Sequence, residues 1–365
     1  MKIAVFSDIH FHPFPAFAKV ESDGLNSRLK MTAARAKDIV RIAKAEGCAA
    51  ILFAGDLFHT KSIGAETIDE AVRAFSGADI PIIGVPGNHD MATDGGNTRH
   101  SARALGGKIR WLDNFEGRTA EITQGNEDLI VYGIPYVAKQ EELRKEMQAA
   151  PKCDILLMHA GFSGSFMGSD YIADMGDCID YASILETKAK LVVSGHFHQP
   201  QLITIDENLD IDNKRPSGDA QRGPYVPGRS ILVPGSPEQH NWGDAGSHHG
   251  FWIVDTLQKM AEFHKLGSPE FVKIVDGPNT VVPKSGDYVQ VSGKPDAEFI
   301  ESLKQTTPHV IVEHTLAPAA RPVRAFDAGI ADAPKTLVQK FVETSETPLD
   351  KKRLVEAGLK YLGCD

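Results

Sequence analysis

Aspartate, asparagine, glycine and histidine residues form five short polar motifs in the sequence. These motifs are Asp8-Ile9-His10, Gly55-Asp56-Leu57-Phe58-His59, Gly87-Asn88-His89-Asp90, the single His159, and Gly195-His196-Phe197-His198. Their side chains offer carboxylate and amide oxygens and imidazole nitrogens, but no thiolate. This mixture suits a transition ion such as Mn²⁺, Fe or Zn²⁺ better than Ca²⁺ or Mg²⁺. The motifs therefore predict a metal site.

Seven residues of these motifs are the candidate metal ligands: Asp8, His10, Asp56, Asn88, His159, His196 and His198. This set is too large for one ion, but it suits two ions that share a carboxylate. Two ions about 3.5–4 Å apart favour in-line attack of water at phosphorus, because one lowers the pKa of the water and both neutralise phosphate charge. The simpler alternative, that these are turn residues at strand ends, is less consistent with their joint occurrence.

Apolar segments precede all five motifs, and they alternate with amphipathic segments. The apolar segments, predicted to be strands, are residues 2–7, 49–54, 80–85, 154–158 and 191–194. Residues 28–46 and 66–75 have the periodicity of helices. Strands that alternate with helices predict an α/β sandwich whose sheets are covered by helices. Ligands bind at the carboxyl ends of strands in such folds, which is where the motifs lie.

The pattern changes after about residue 200. Residues 201–205, 230–233, 251–254, 260–264 and 271–275 are predicted strands without intervening helices, and residues 206–229 are expected to be a polar surface loop. Residues 288–291, 297–304 and 310–313 predict a small strand-helix-strand unit. After a proline-containing linker at 318–322, residues 336–343 and 349–362 are predicted to be helices of the tail.

Composition narrows the class of protein. The chain has 365 residues, of which 42% are hydrophobic and 24% charged, as expected for a soluble protein of two or three domains. No apolar run reaches the roughly 18 residues of a membrane span, and we expect neither a signal peptide nor a membrane partner.

The four cysteines (Cys48, Cys153, Cys178 and Cys364) form no CxxC pair and are expected to be reduced thiols of a cytoplasmic protein. The net charge of −10 gives no sign of nucleic acid binding and does not exclude it.

In their order along the chain, the five motifs resemble those of the calcineurin-like metallophosphoesterase superfamily. The resemblance implies a metallophosphoesterase sandwich of two mixed β-sheets flanked by helices, with a small α/β capping domain and a helical tail. Asp8, His10 and His198 would hold one metal ion, Asn88, His159 and His196 would hold a second, and Asp56 would bridge them. His89 would stabilise the transition state or protonate the leaving oxygen, and Asp90 would orient His89.

His59 distinguishes branches of this superfamily. Gly55-Asp56-Leu57-Phe58-His59 resembles the SbcD/Mre-type double-strand-break repair nucleases, nearest the short, phage-type members. The segments Pro234-Gly235-Ser236-Pro237-Glu238 and Gly250-Phe251-Trp252-Ile253-Val254 resemble the end of their nuclease domain. The resemblance implies 3′→5′ exonuclease and single-strand or hairpin endonuclease activity with two Mn²⁺ ions, although Mg²⁺, Fe or Zn²⁺ would also fit. His59 would position DNA ends, or else be a merely structural histidine.

The same resemblance implies domains and partners. We expect a nuclease domain over residues 1–275, a capping domain over 276–325 and a helical tail over 326–365. The implied partners are DNA, a second copy of the chain, and an SbcC-type ABC ATPase with a coiled coil. We expect residues 336–362 to dock on that ATPase, and the segments near 66–75 and 97–105 to form the homodimer.

Other interpretations of the sequence remain open. A phosphomonoesterase or a cyclic-nucleotide phosphodiesterase would use the same metal ligands. A non-enzymatic scaffold with a degenerate site is disfavoured, because no ligand position is substituted. His12 is expected to be a surface residue. His240, His248 and His249 are expected to be solvated loop residues, and Arg99, His100 and Arg103 a solvated face. Phe162, Phe166, Met167 and Tyr171 either line a substrate path or pack within their loop.

Overall fold

A computed structural model describes most of the chain. The described residues are 1–91, 99–167, 178–216, 220–275, 282–293, 295–314, 342 and 351–355. Much of the predicted capping unit is included. The predicted tail helices lie largely outside the described residues, of which Val342 and residues 351–355 are helical.

The described residues form strands in three sheets. In chain order they are β1 (Lys2–Phe6), β2 (Ala50–Phe53), β3 (Ile82–Gly84), β4 (Ile109–Trp111), β5 (Thr119–Gln124), β6 (Glu127–Ile134), β7 (Cys153–His159), β8 (Ala189–Gly195), β9 (Gln201–Ile205), β10 (Ile211–Lys214), β11 (Ala220–Pro224), β12 (Ser230–Val233), β13 (Gly250–Asp255), β14 (Met260–Lys265), β15 (Phe271–Val275), β16 (Tyr288–Gly293) and β17 (His309–His314). All strands predicted from the sequence are present to within a few residues at each end.

The α-helices of the described residues are α1 (Ser27–Ala45), α2 (Ala65–Phe75), α3 (Gln140–Ala149) and α4 (Ala297–Thr306). Short 3₁₀ helices span Ser101–Leu105, Tyr181–Glu186 and Trp242–Asp244. The predicted helices near 28–46 and 66–75 are confirmed as α1 and α2. The Asn26 side chain accepts hydrogen bonds from the backbone N–H groups of Arg28 and Leu29, which caps α1 at the residue before its start.

Two mixed seven-stranded sheets form a sandwich. The first sheet has the order β11-β14-β13-β1-β2-β3-β4, and the second has the order β10-β9-β12-β8-β7-β6-β5. Strands β1 to β4 are parallel to one another, and so are β12, β8, β7 and β6. The parallel strands of each sheet therefore end together at one edge. The predicted sandwich of two mixed β-sheets flanked by helices is confirmed.

Three apolar layers hold the sandwich together. Between the sheets, Val5 and Leu52 of the first contact the same buried cluster as Leu157 and Val193 of the second. Helices α1 and α2 cover the outer face of the first sheet, and α3 covers that of the second. Because both faces of the parallel strands are buried, these strands are almost wholly apolar.

The predicted loop at residues 206–229 is a wrong prediction. Strand β10 pairs antiparallel with β9, and β11 pairs antiparallel with β14. Each is the outermost strand of its sheet, and the residues of β10 are largely exposed. Edge strands need few apolar side chains, so the polar composition that predicted a loop is compatible with two strands.

The third sheet has the parallel order β15-β16-β17 and packs against α4 around Ile274, Val289 and Leu303. This sheet starts at Phe271, which is before the predicted domain boundary at residue 275. Cys48, Cys153 and Cys178 are buried. Within the described part of the chain, no helix has the length and apolar character required to cross a bilayer.

Candidate metal centre

The strand ends of both sheets bring all seven candidate ligands to one place. Asp8 and His10 follow β1, Asp56 follows β2, Asn88 follows β3, His159 ends β7, and His196 and His198 follow β8. In the described residues, three groups have ligand atoms within 4.8 Å of one another: Asp8, His10 and His198; Asp8, Asp56 and His159; and His10, His59 and His89. Residues that are distant in the sequence thus form one cluster.

Unusual backbone conformations aim these side chains inwards. Asp8, His10, Asp56 and His196 have φ angles of 50°, 50°, 59° and 107°. Non-glycine residues rarely adopt positive φ, and each costs on the order of 1–3 kcal/mol. Such strain persists where the surrounding structure demands it, which is typical of functional sites. Gly87 belongs to the same edge, because a Cβ atom there would collide with the Asp56 side chain.

The first half of the cluster contains His10 and His198. The two Nε2 atoms lie 3.2 Å apart, and the Nε2 of His10 lies 3.7 Å from Oδ2 of Asp56. The Asp8 carboxylate accepts hydrogen bonds from the backbone N–H of His196 at 3.1 and 3.2 Å. Asp8 and His10 are buried, and the side chain of His198 is 22% exposed.

The second half contains His159, His196 and Asn88. The Nδ1–H of His159 donates to the carbonyl of Ala54 at 2.8 Å, so its Nε2 is the atom that faces the cluster. That Nε2 lies 2.9 Å from Oδ1 of Asn88 and 3.4 Å from Oδ2 of Asp56. The Nδ1 of His196 lies 3.2 Å from the same Asn88 oxygen. Asp56 is therefore within reach of both halves.

The donor set fits divalent cations. The Nε2 atoms of His10 and His198 face each other, and the Nε2 of His159 faces two oxygen atoms. When these nitrogen atoms are unprotonated, their lone pairs repel one another and the nearby oxygen atoms, and a cation between them would remove that repulsion. The buried Nδ1 of His10 has no hydrogen-bond partner. Imidazole, carboxylate and amide ligands suit a borderline ion, in agreement with the sequence-based expectation of two metals.

The pKa values of the histidines and of Asp56 also indicate that the carboxylates of the site stabilise positive charge beside them. Burial alone would lower the pKa of His159, but the Asp56 carboxylate raises it to about 9. Burial opposes charge on His198 as well, and Asp244 raises its pKa to about 9. Burial would raise the pKa of Asp56, yet His159 holds it well below its usual range. A divalent cation would supply the positive charge that these histidines otherwise carry.

His89 and His59 lie beside the cluster. Their rings stack with centroids 5.2 Å apart and an angle of 17°, and the Nδ1–H of His89 donates to the His59 carbonyl at 2.7 Å. The His59 carbonyl thus orients His89, leaving its Nε2 available. The pKa of His59 is lowered to about 4, chiefly by burial, so this ring is neutral at pH 7.

Asp90 acts on the backbone rather than on the ring of His89. Its carboxylate accepts hydrogen bonds from the N–H groups of Leu57, Phe58 and Gly87 at 3.0–3.1 Å. The resemblance implied that Asp90 orients His89. The carboxylate ties the loop after β2, which carries Asp56, to the loop after β3, which carries His89.

A cleft opens next to His89. It is lined by His59, Thr60, Lys61, Asn88, His89, Met91 and Tyr136. His12 was expected to be a surface residue; it is half-buried, and its ring lies 5.1 Å from that of His59. The candidate metal ligand Asn88 and His89 therefore both border this cleft.

Residues 234–249, here called the supporting segment, contain functional candidates that sequence reasoning missed. His240 and His249 were expected to be solvated and are buried, whereas His248 is half-buried. The Nε2–H of His240 donates to the carbonyl of Asp8 at 3.0 Å, and its ring centre lies 5.1 Å from that of His10. Asp244 contacts His198. Glycine, serine and proline suggested a solvated loop, and no local pattern in the sequence marked these residues for burial.

The remaining candidates lie elsewhere. His100 is buried rather than solvated, with its Nε2 2.9 Å from the Asp113 carboxylate; Arg103 pairs with the same carboxylate at 2.6 Å, and Arg99 is exposed. Phe162 is fully buried and stacks on Tyr181 at 6.0 Å, which favours packing within its loop. Phe166 and Met167 are half-buried, and Tyr171 lies outside the described residues.

Comparison with known proteins agrees with this geometry at the level of the family. Residues 1–200 match the calcineurin-like phosphoesterase family, which is more than half of the chain. The chain belongs to that family. No curated protein matches the sequence.

Several solved structures are similar to this chain. A metallophosphoesterase from Sphaerobacter thermophilus is 17% identical, with 73% of this chain and 89% of that chain covered and a TM-score of 0.37. A protein of Thermus thermophilus is 14% identical, with 72% and 98% covered and a TM-score of 0.40. A dimetal phosphatase from Danio rerio is 8% identical, with 70% and 92% covered and a TM-score of 0.39.

Proposed function

We propose that this chain is a Mn²⁺-dependent DNA nuclease, the SbcD/Mre-type subunit of a recombination or double-strand-break repair complex. Its activities would be 3′→5′ exonuclease and single-strand or hairpin endonuclease. The observation that carries the proposal is the stacking of His59 on His89 at the mouth of the cleft. Because His59 lines the cleft beside the candidate metal ligands, its neutral imidazole would contact a nucleotide bound there.

The motif residues would divide the work of hydrolysis. Two divalent ions, when bound, would supply an activated water and neutralise charge on the phosphate. The carboxylate of Asp56 lies where it reaches His10 and His159, which suits a bridging ligand. The Nε2 of His89 would hold the proton that the leaving sugar oxygen takes, since its Nδ1 is committed to the His59 carbonyl.

The experiment that tests this proposal compares DNA with small phosphate esters. End-labelled duplex, hairpin and single-stranded DNA are incubated with the purified protein in Mn²⁺, Mg²⁺ or chelator. We expect Mn²⁺-dependent degradation that is lost in Asp8→Ala and falls about 100-fold or more in His89→Asn. His264→Asn is the matched control, because the contacts of His264 are with Glu262 and the Phe251 ring and not with the candidate ligands.

His59 separates the two candidate substrate classes. His59→Ala should slow degradation of DNA while leaving hydrolysis of bis(4-nitrophenyl) phosphate nearly unchanged, because the small ester does not need positioning. Hydrolysis of 4-nitrophenyl phosphate or a cyclic nucleotide with intact DNA would instead establish the alternative, a phosphomonoesterase or cyclic-nucleotide phosphodiesterase.

The proposal extends to partners. We propose that the chain forms a homodimer and binds an SbcC-type ABC ATPase through residues 336–362, which lie largely outside the described residues. Of the proposed dimer segments, α2 and the 3₁₀ helix Ser101–Leu105 are described. A chain shortened before Thr336 should keep its nuclease activity but no longer co-purify with the ATPase.

A further inference from the structure

Asp244 is a buried carboxylate that neither the sequence motifs nor the proposed ligand set uses. It ends the 3₁₀ helix Trp242–Asp244 and is 4% exposed. Its Oδ2 accepts the backbone N–H of His240 at 2.8 Å and that of Asn241 at 3.4 Å. Main-chain donors therefore fix the orientation of this carboxylate from within the supporting segment.

The other oxygen of Asp244 faces His198. The distance from its Oδ1 to the Nδ1 of His198 is 3.2 Å. A carboxylate only accepts hydrogen bonds, so the Nδ1 of His198 must carry the hydrogen. The Nε2 of His198 is then the atom left for a metal, and it is the one that lies 3.2 Å from the Nε2 of His10.

We propose that Asp244 is a positioning residue for the metal centre, which holds the His198 ring in the tautomer and orientation required to bind a metal through Nε2. Its effect falls on the half of the centre formed by Asp8, His10 and His198. The corresponding task for His159 falls to the carbonyl of Ala54. The inference rests on the metal centre of the proposed function, but not on DNA as the substrate.

Asp244→Asn tests this arrangement sharply, because an amide has one acceptor and one donor. If its oxygen keeps the backbone N–H of His240, its NH₂ faces His198. The Nδ1 of His198 must then be unprotonated, which moves the ring hydrogen to Nε2 and removes the ligand. Loss of such a partner typically weakens metal binding by about 10–100-fold.

The measurement is Mn²⁺ binding to the full-length protein, by equilibrium dialysis and metal analysis over a range of free Mn²⁺. We expect two bound ions in the wild type, and in Asp244→Asn one ion of unchanged affinity and one weakened about 10–100-fold. Asp287→Asn is the matched control. Asp287 is also buried and accepts backbone N–H groups, those of Glu270 and Lys284, but it is remote from the centre.

Two results would overturn the inference. If Asp244→Asn binds both ions as the wild type does, Asp244 serves the loop alone. If the wild type binds no Mn²⁺, the proposed metal centre fails and the inference fails with it.

A second measurement avoids dependence on the folding of the variant. ¹⁵N NMR of histidine-labelled wild type with Zn²⁺ should show a protonated Nδ1 and a metal-bound Nε2 for His198, assigned with His198→Gln, and the reverse pattern would contradict the proposal.

Discussion

The two halves of the candidate metal centre are built in different ways. In the half with His159, the orienting partner is a main-chain carbonyl, that of Ala54 directly after β2, and the side chain of His159 is fully buried. In the half with His198, the orienting partner is the side chain of Asp244, and His198 is partly exposed. The orientation of His159 is therefore fixed by the main chain of the first sheet. The orientation of His198 is fixed by a side chain of the supporting segment, which follows later in the chain.

This difference has a physical consequence. The supporting segment rests on α1, where the Arg28 guanidinium donates to the His240 carbonyl at 3.0 Å and Thr32 donates to the Glu238 carboxylate. Arg28 also lies over the rings of Phe14, Phe271 and Tyr288, so the third sheet contacts the same support. The half with His198 depends on side-chain contacts with several elements, whereas the half with His159 depends mainly on strand geometry.

The largest effect should come from the residue that the two halves share. Asp56→Asn removes the carboxylate charge within reach of both His10 and His159. We expect loss of both metal ions at micromolar Mn²⁺ and a fall in activity on the order of a thousandfold or more. Metal analysis and a rate assay check this, and a variant that keeps one tightly bound ion would show that Asp56 serves only one half.

Metal binding by the half with His159 should be sensitive to substitutions that change the backbone near Ala54. Gly55 has a φ of +96°, and a Cβ atom there would collide with the His159 ring and approach Cα of Gly87 to 3.0 Å. Gly55→Ala should therefore weaken the ion bound by His159 and His196 and leave the other ion in place. The strain at positive φ adds a loss of roughly 1–2 kcal/mol in the free energy of unfolding.

Gly47→Ala is the control for that strain. Gly47 has a φ of +70°, but a Cβ atom there would meet nothing within 4 Å. It should lose similar stability in thermal unfolding and keep both ions. If Gly55→Ala binds two ions with wild-type affinity, the main chain does not hold His159 in the way the structure indicates.

The difference between the halves also explains what the sequence could predict. Asp8, Asp56, Asn88 and the other candidate ligands follow apolar strands, and parallel strands that end at one edge must bring such residues together. Glycine-rich turns and apolar runs are local signals. The strands before the motifs, α1 and α2 could therefore be predicted from the sequence within a few residues.

The supporting role of the later segment has no such local signal. His240 and Asp244 lie among glycine, serine and asparagine, which is typical of exposed loops, and only contact with α1 and the cluster buries them. Similarly, β10 and β11 are polar because they are edge strands, so their composition resembled that of a loop. The burial of His240 and Asp244 and the pairing of β10 and β11 depend on contacts between residues distant in the sequence. A pattern over a few neighbouring residues does not show such contacts.

The smallest effect should be a pH dependence of stability and of metal binding that is confined to the half with His198. Glu238 is buried, one of its oxygens has no hydrogen-bond partner, and burial raises its pKa to about 7 from an ordinary value of 4.5. A carboxyl whose pKa is higher in the folded state than in the unfolded state stabilises the fold fully below the unfolded value. That contribution is lost as the pH rises through about 7.

Glu238→Gln keeps the shape of the side chain and an acceptor for Thr32, but it has no proton to lose. Thermal unfolding of the wild type should show a decline in stability from about pH 4.5 to 7, by at most about 3 kcal/mol, that is absent in Glu238→Gln. Because Glu238 supports the segment that carries Asp244, the ion bound by His198 should weaken over the same interval in the wild type alone. Parallel pH profiles for the two proteins would mean that Glu238 stays ionised in the fold, and that the supporting segment is as insensitive to pH as the strands that hold His159.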